Sequence, residues 1–131
     1  MNMAETLNKS VDQEDRKEKF GEVKIADEVI AIIAGLAATE VEGVASMAGN
    51  ITNEWVSRLG MKKLSRGVKV EVTEEHVSVD LSLNIRYGYN IPDVSEKVQE
   101  RVKTAIETMT GLMVLDVNIK IAGVDMDVEE Q

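Results

Sequence analysis

At 131 residues, 44% of them hydrophobic, the chain has material for one compact core and not for two independent domains. It carries no cysteine, which excludes a disulfide framework and a thiolate zinc site and suits a reducing compartment. A formal net charge of −9 opposes contact with phosphate backbones, and the aromatic residues Phe20, Trp55, Tyr87 and Tyr89 are too few for a base-stacking platform, so no nucleic-acid partner is expected.

The first twenty residues interleave acids and bases without an apolar run, so no export-signal core is expected there. Residues 1–19 read as a flexible charged tail and 20–124 as the domain. Residues 125–131, where Asp125, Asp127, Glu129 and Glu130 repel one another, read as an acidic flexible tail.

Inside the domain, residues 22–25 predict a short strand, and Asp27 is placed to cap a helix running to about Thr39 by accepting a free backbone N–H. The apolar stretch 29–38 is about half of the ~20 residues a membrane-spanning helix needs, so no transmembrane anchor is expected. Residues 44–47 predict a strand. Residues 51–59 predict a short amphipathic helix with Ile51, Trp55 and Leu59 at a spacing of four.

Strict alternation of Val68, Val70 and Val72 with Lys69, Glu71 and Thr73 predicts the next strand. The same alternation returns in Val77, Val79, Leu81, Leu83 and Ile85 against Ser78, Asp80, Ser82, Asn84 and Arg86, and Glu74 and Glu75 are the link of a hairpin. A second long helix is expected over 94–110, its stripe Val94, Val98, Val102, Ala105, Ile106 and Met109 lying opposite Glu96, Lys97, Glu100, Lys103 and Glu107. Pro92 and Asp93 mark its start and Gly111 its end. Leu115, Val117, Ile119 and Ile121, alternating with Asp116, Asn118 and Lys120, predict the last strand.

Strands with one polar face each imply water on one side and helices on the other. The expected fold is α+β. It is a two-layer domain with a mixed, mostly antiparallel sheet of four or five strands, two main helices on one face and a short extra helix.

Chemistry-bearing patterns are sparse. His76 is the only histidine, so one chain can build neither a His-metal cluster nor a Ser-His-Asp triad. Neither GxxxxGK[ST] nor GxGxxG occurs. The neighbouring acids Glu40 with Glu42 and Glu74 with Glu75 sit in polar links, where carboxylates are ordinarily solvated. No catalytic, cofactor-binding or metal residue is assigned, and the expectation is a protein that is not an enzyme.

Two stretches invite a partner. The first helix is apolar on every side, and Ala31 with Gly35 and Ala34 with Ala38 would let another backbone approach closely; with Trp55 they form a candidate interface. The alternative is that this helix is wholly buried within the domain. Arg58, Lys62, Lys63 and Arg66 form a basic cluster after Trp55, a candidate contact for an anionic surface, with a solvated basic loop as the other reading.

The segments GEVKIADEVIAIIAGLAATEVEGVASMAGN, GVKVEV and IRYGYNIPDVSEKVQERVKTAIETMTGLMVLDVNIKIAGV, in that order, resemble the alkaline shock protein family of Gram-positive bacteria, also called the envelope stress response family, over about residues 21–124. The series EVEGV, IPDVSEKVQ and VNIKIAGV at these spacings carries the match. The resemblance implies a non-enzymatic cytoplasmic scaffold that supports cell-envelope homeostasis and touches the membrane only through a separate anchor protein. The short tails resemble a branch linked to lipid synthesis, which makes regulation of fatty-acid synthesis through an acetyl-CoA carboxylase subunit the alternative. A homo-oligomer stays open, as does, remotely, an enzyme with an unrecognised site.

Overall fold

The computed structural model describes residues 20–48 and 65–126. Within them the chain forms helix α1 (Asp27–Thr39) and strand β1 (Val44–Met47), then β2 (Val68–Thr73) and β3 (His76–Arg86), and finally helix α2 (Ile91–Thr110) and β4 (Met113–Asp125). Among the described residues the sheet has four strands.

β3 is the axis of the sheet. Its odd-numbered side chains Val77, Val79, Leu81, Leu83 and Ile85 are all at most 1% exposed, so the alternation read from the sequence is the inside–outside pattern of one strand. β1 and β2 both run antiparallel to β3 and share one edge of it, β1 against Leu83–Ile85 and β2 against His76–Leu81. β4 runs parallel to β3 along the other edge, so the sheet is mixed.

The junction of β1 and β2 falls at Ser82. Its carbonyl accepts from the Ala48 N–H at 2.9 Å, and its N–H donates to the Gly67 carbonyl at 2.8 Å. Gly67 has φ +75, and a Cβ there would collide with the Ala48 carbonyl oxygen, so only glycine fits this closure.

Both helices cover the inner face. α1 packs against α2, β1, β2 and β3, and α2 against α1 and β4. Ile30, Ala34 and Ala38 of α1 meet Val98, Val102 and Ile106 of α2 and the odd residues of β3 in one core, where each of these side chains is fully buried. Burying a Leu, Ile or Val of this kind contributes about 1.5–3 kcal/mol, and among the described residues no buried polar side chain interrupts the cluster.

Several boundaries differ from expectation. Residues 22–25 form no strand, and Val23 is 91% exposed: an apolar residue without a pairing partner does not make an edge. The N-cap of α1 is Ala26, with no side-chain cap bond, and Asp27 lies inside the first turn, where its charge faces the positive helix end. α2 begins at Ile91, three residues before Val94, because Asn90 caps it: the Asn90 Oδ1 accepts from the Asp93 N–H at 2.9 Å. Gly111 ends α2 as expected, its N–H donating to Glu107 O at 3.0 Å. Met109, placed on the inner stripe by periodicity, is 69% exposed near the end of the helix.

The largest departure is in β4. Val77 pairs with Val114 and Ser78 with Asp116, so Leu115 is an inserted bulge residue. It turns outward at 60% exposure while Val114 and Val117 enter the core. A second irregularity skips Ala122, between the Leu83–Ile121 and Asn84–Gly123 pairs. Asp125, assigned to the acidic tail, is the last residue of β4 and pairs with Arg86.

Candidate interaction surfaces

The outer sheet face is built by the even residues of β3 and their neighbours. Lys69 and Asn118 flank Asp80, Glu71 and Asp116 flank Ser78, and Lys120 lies beside Ser82. Two hydrogen bonds order this face: Asn118 Nδ2 donates to Asp80 Oδ1 at 2.9 Å and Asn84 Nδ2 to Ser46 Oγ at 3.1 Å. His76, the first residue of β3, pairs with Thr73 and Met113 at the hairpin end and is half-buried.

The turn that joins α1 to β1 is tied down by polar contacts from two other elements. Arg101 Nη1 meets Glu40 Oε1 at 3.2 Å with both side chains about half exposed, a pair of the kind that contributes at most about 1 kcal/mol. Tyr89 Oη donates to Glu42 Oε2 at 3.1 Å, and this bond, followed by the carboxylate's charge, raises the Tyr89 phenol above its ordinary value. Gly43, between these contacts, has φ +103, and a Cβ there would press on Val94 and on the Tyr89 ring. The adjoining recess, lined by Glu42, Lys97, Glu100 and Thr104, is open and carries charges of both signs.

Along β4, side chains of α2 reach the sheet edge. Gln99 Nε2 donates to Val117 O at 3.0 Å, and Glu107 Oε2 accepts both from the Val114 N–H at 3.0 Å and from Lys103 Nζ at 3.2 Å. The Val114 bond and then Lys103 hold the Glu107 carboxyl below the usual glutamate value.

The residues singled out in the sequence fall into two groups. Ala31, Ala34, Gly35 and Ala38 are together on α1, and all four are buried within the chain. The large apolar side chains that α1 leaves exposed are Val29 at 47% and Leu36 at 42%. Trp55, Arg58, Lys62 and Lys63, and the short helix expected over 51–59, lie outside the described residues; Arg66 is described and exposed, in the turn before β2. Among the described residues no group of three or more His, Asp or Glu side chains is arranged to hold a metal ion, and no helix is long and apolar enough to cross a membrane. The β4 edge went unremarked in the sequence because strand order, which alternation does not encode, decides which strand is outermost.

These features define an α+β domain whose described residues build an apolar core, with polar groups on the outer sheet face, along the outer side of α2 and in the turns. The chain belongs to the alkaline shock protein 23 family, described as having a cell envelope-related function, whose profile matches residues 15–126. It is 39% identical over 121 residues to YqhY of Bacillus subtilis (strain 168), covering 92% of this chain and 88% of that one. A stress response regulator gls24 homolog of Streptococcus pyogenes serotype M3 is 30% identical over 130 residues, 98% of this chain and 72% of that protein. Among solved structures, two forms of the MamM CTD align with TM-scores of 0.47 and 0.49 at 12% and 11% identity, covering 75% and 76% of this chain and 95% and 100% of theirs. The family match over residues 15–126 establishes the family resemblance read from the sequence.

Proposed function

We propose that this chain is a non-enzymatic association module that supports cell-envelope homeostasis or the stress response through protein partners, residing in the cytoplasm and reaching the membrane only by way of a partner. The observation that carries the reading is the family match over residues 15–126, with its cell envelope-related description. Similarity to a stress response regulator homolog supports it further. In this reading the binding domain is the stretch from residue 20 through the end of β4 at Asp125. Ala31, Ala34, Gly35 and Ala38 set how closely α1 approaches its surroundings, Val29 and Leu36 are its accessible apolar groups, and Trp55 with Arg58, Lys62, Lys63 and Arg66 supplies a contact for an anionic surface.

The test is a pull-down of the tagged full chain from separately prepared membrane and soluble fractions, with bound proteins identified by mass spectrometry. A membrane-anchored partner is expected, and its loss on Leu36→Glu would assign the contact to α1. Recovery of a soluble acetyl-CoA carboxylase subunit, with a change in that enzyme's rate, would replace this reading by the regulator of fatty-acid synthesis. Reversal of Lys62 and Lys63 to Glu is expected to lower the recovery of that membrane-anchored partner in the same pull-down; unchanged recovery would remove the basic cluster from the account.

A further inference from the structure

β4 is an outermost strand: among the described residues it pairs only with β3. Which of its backbone groups face outward follows from alternation. Ser82 turns both its N–H and its carbonyl toward the β1/β2 edge, so the odd residues of β3 turn theirs toward β4. In the observed register, with Val79 beside Val117 and Leu81 beside Ile119, the groups of β4 that answer them belong to Asp116, Asn118 and Lys120. The N–H and carbonyl groups of Val117, Ile119 and Ile121 therefore face away from the sheet, and the Gln99 bond to Val117 O agrees.

The bulges at Leu115 and Ala122 bound the regular part of this edge to residues 116–121. On its outer face stand Asp116, Asn118 and Lys120, all exposed. Neither Asp116 nor Lys120 has an ion-pair partner among the described residues.

We infer that this edge pairs with the β4 edge of a second copy of the chain, antiparallel, with the two-fold axis at Asn118. Opposite residues in an antiparallel pair must both turn their backbone groups toward the partner or both away, so the axis falls on a residue and not between two. An axis at Lys120 sets lysine against lysine. An axis at Ile119 sets Lys120 against Asn118. The axis at Asn118 alone sets Lys120 of each copy against Asp116 of the other, twice by symmetry, with all four side chains on the same polar face. Val117 and Ile119 then exchange both backbone bonds with Ile119 and Val117 of the other copy. The Val117 carbonyl keeps Gln99 as well, since it has two lone pairs. Such a contact is isologous and closed, and it consumes the open edge that would otherwise recruit further strands.

The experiment is sedimentation equilibrium of the full chain and of two charge variants. The wild-type protein is expected to dimerise with concentration. Lys120→Asp and Asp116→Lys each turn two attractive cross-strand pairs into repulsive ones, and each is expected to weaken the dimer about tenfold or more. An equimolar mixture of the two variants restores every pair and is expected to recover the wild-type constant. One variant makes the chain more negative and the other less, so a non-specific charge effect moves them in opposite directions, whereas the paired edge moves both the same way. Both positions are exposed on the outer face, and unchanged circular dichroism is the check on folding. A monomeric wild type up to its solubility limit, variants that associate like the wild type, or a mixture that stays apart would each overturn the inference.

Discussion

The Glu107 carboxylate of α2 receives the backbone N–H of Val114 at 3.0 Å, joining the last turn of the helix to the second residue of β4. The bond satisfies an edge amide next to a bulge, where no neighbouring strand is available, and it lowers the Glu107 pKa. A carboxyl whose pKa is lower folded than unfolded contributes stability above its unfolded pKa, and loses that contribution as pH falls through the folded one. Glu107→Gln is therefore expected to lower the urea midpoint at neutral pH and to make little difference in acid, below both pKa values. A midpoint difference independent of pH would mean that the charge on Glu107 is immaterial to the bond.

Tyr89 gives the opposite sign. Its phenol is raised by the bond to Glu42, so the stability it adds is complete below the unfolded tyrosine pKa and is lost as pH rises through the folded one. In Glu42→Gln, the Tyr89 titration followed by tyrosinate absorbance, with Tyr87→Phe as background, is expected to move to lower pH. No movement would show that the Tyr89–Glu42 bond does not persist in solution.

Leu115 and Val114 exchange the roles that alternation suggests. Val114→Ala, at a position 4% exposed, is expected to cost about 2 kcal/mol, whereas Leu115→Ala is expected to stay within about 0.5 kcal/mol of wild type. Chemical denaturation of the two variants decides it, and the reverse order would place the bulge elsewhere.

The hairpin between β2 and β3 turns on two glutamates with positive φ, Glu74 at 49° and Glu75 at 71°. The left-handed region costs a non-glycine residue roughly 1–2 kcal/mol, and Asn-Gly is the pair that suits such a two-residue turn. Replacing Glu74 by Asn and Glu75 by Gly is expected to stabilise the protein by about 1 kcal/mol, read as a higher denaturant midpoint. A neutral or negative effect would mean that the two carboxylates offset the backbone strain.

Legibility in the sequence followed periodicity. β2, β3 and the stripe Val94, Val98, Val102 and Ile106 of α2 were readable because a single repeat, of 2 or 3.6 residues, runs through each. β4 was readable as a strand, and Val117, Ile119 and Ile121 take the inner face that alternation gives them, but its start was out of phase: Met113, Val114 and Leu115 are three apolar residues in succession, and the bulge that chooses Val114 is imposed by pairing with β3. The strand expected over 22–25 failed because Val23 and Ile25 alternate without a neighbour to pair with. The small residues of α1 were conspicuous, but alternation and spacing carry no information on what covers a helix that is apolar on all sides. The open edge of β4 required the strand order itself.

Because Ala48 and Gly67 both bond to Ser82, the register of β1 and β2 is set on β3 and not by the number of residues between them. The anchoring of both strands on Ser82 is thus independent of the intervening sequence, which includes Trp55 and most of the basic cluster.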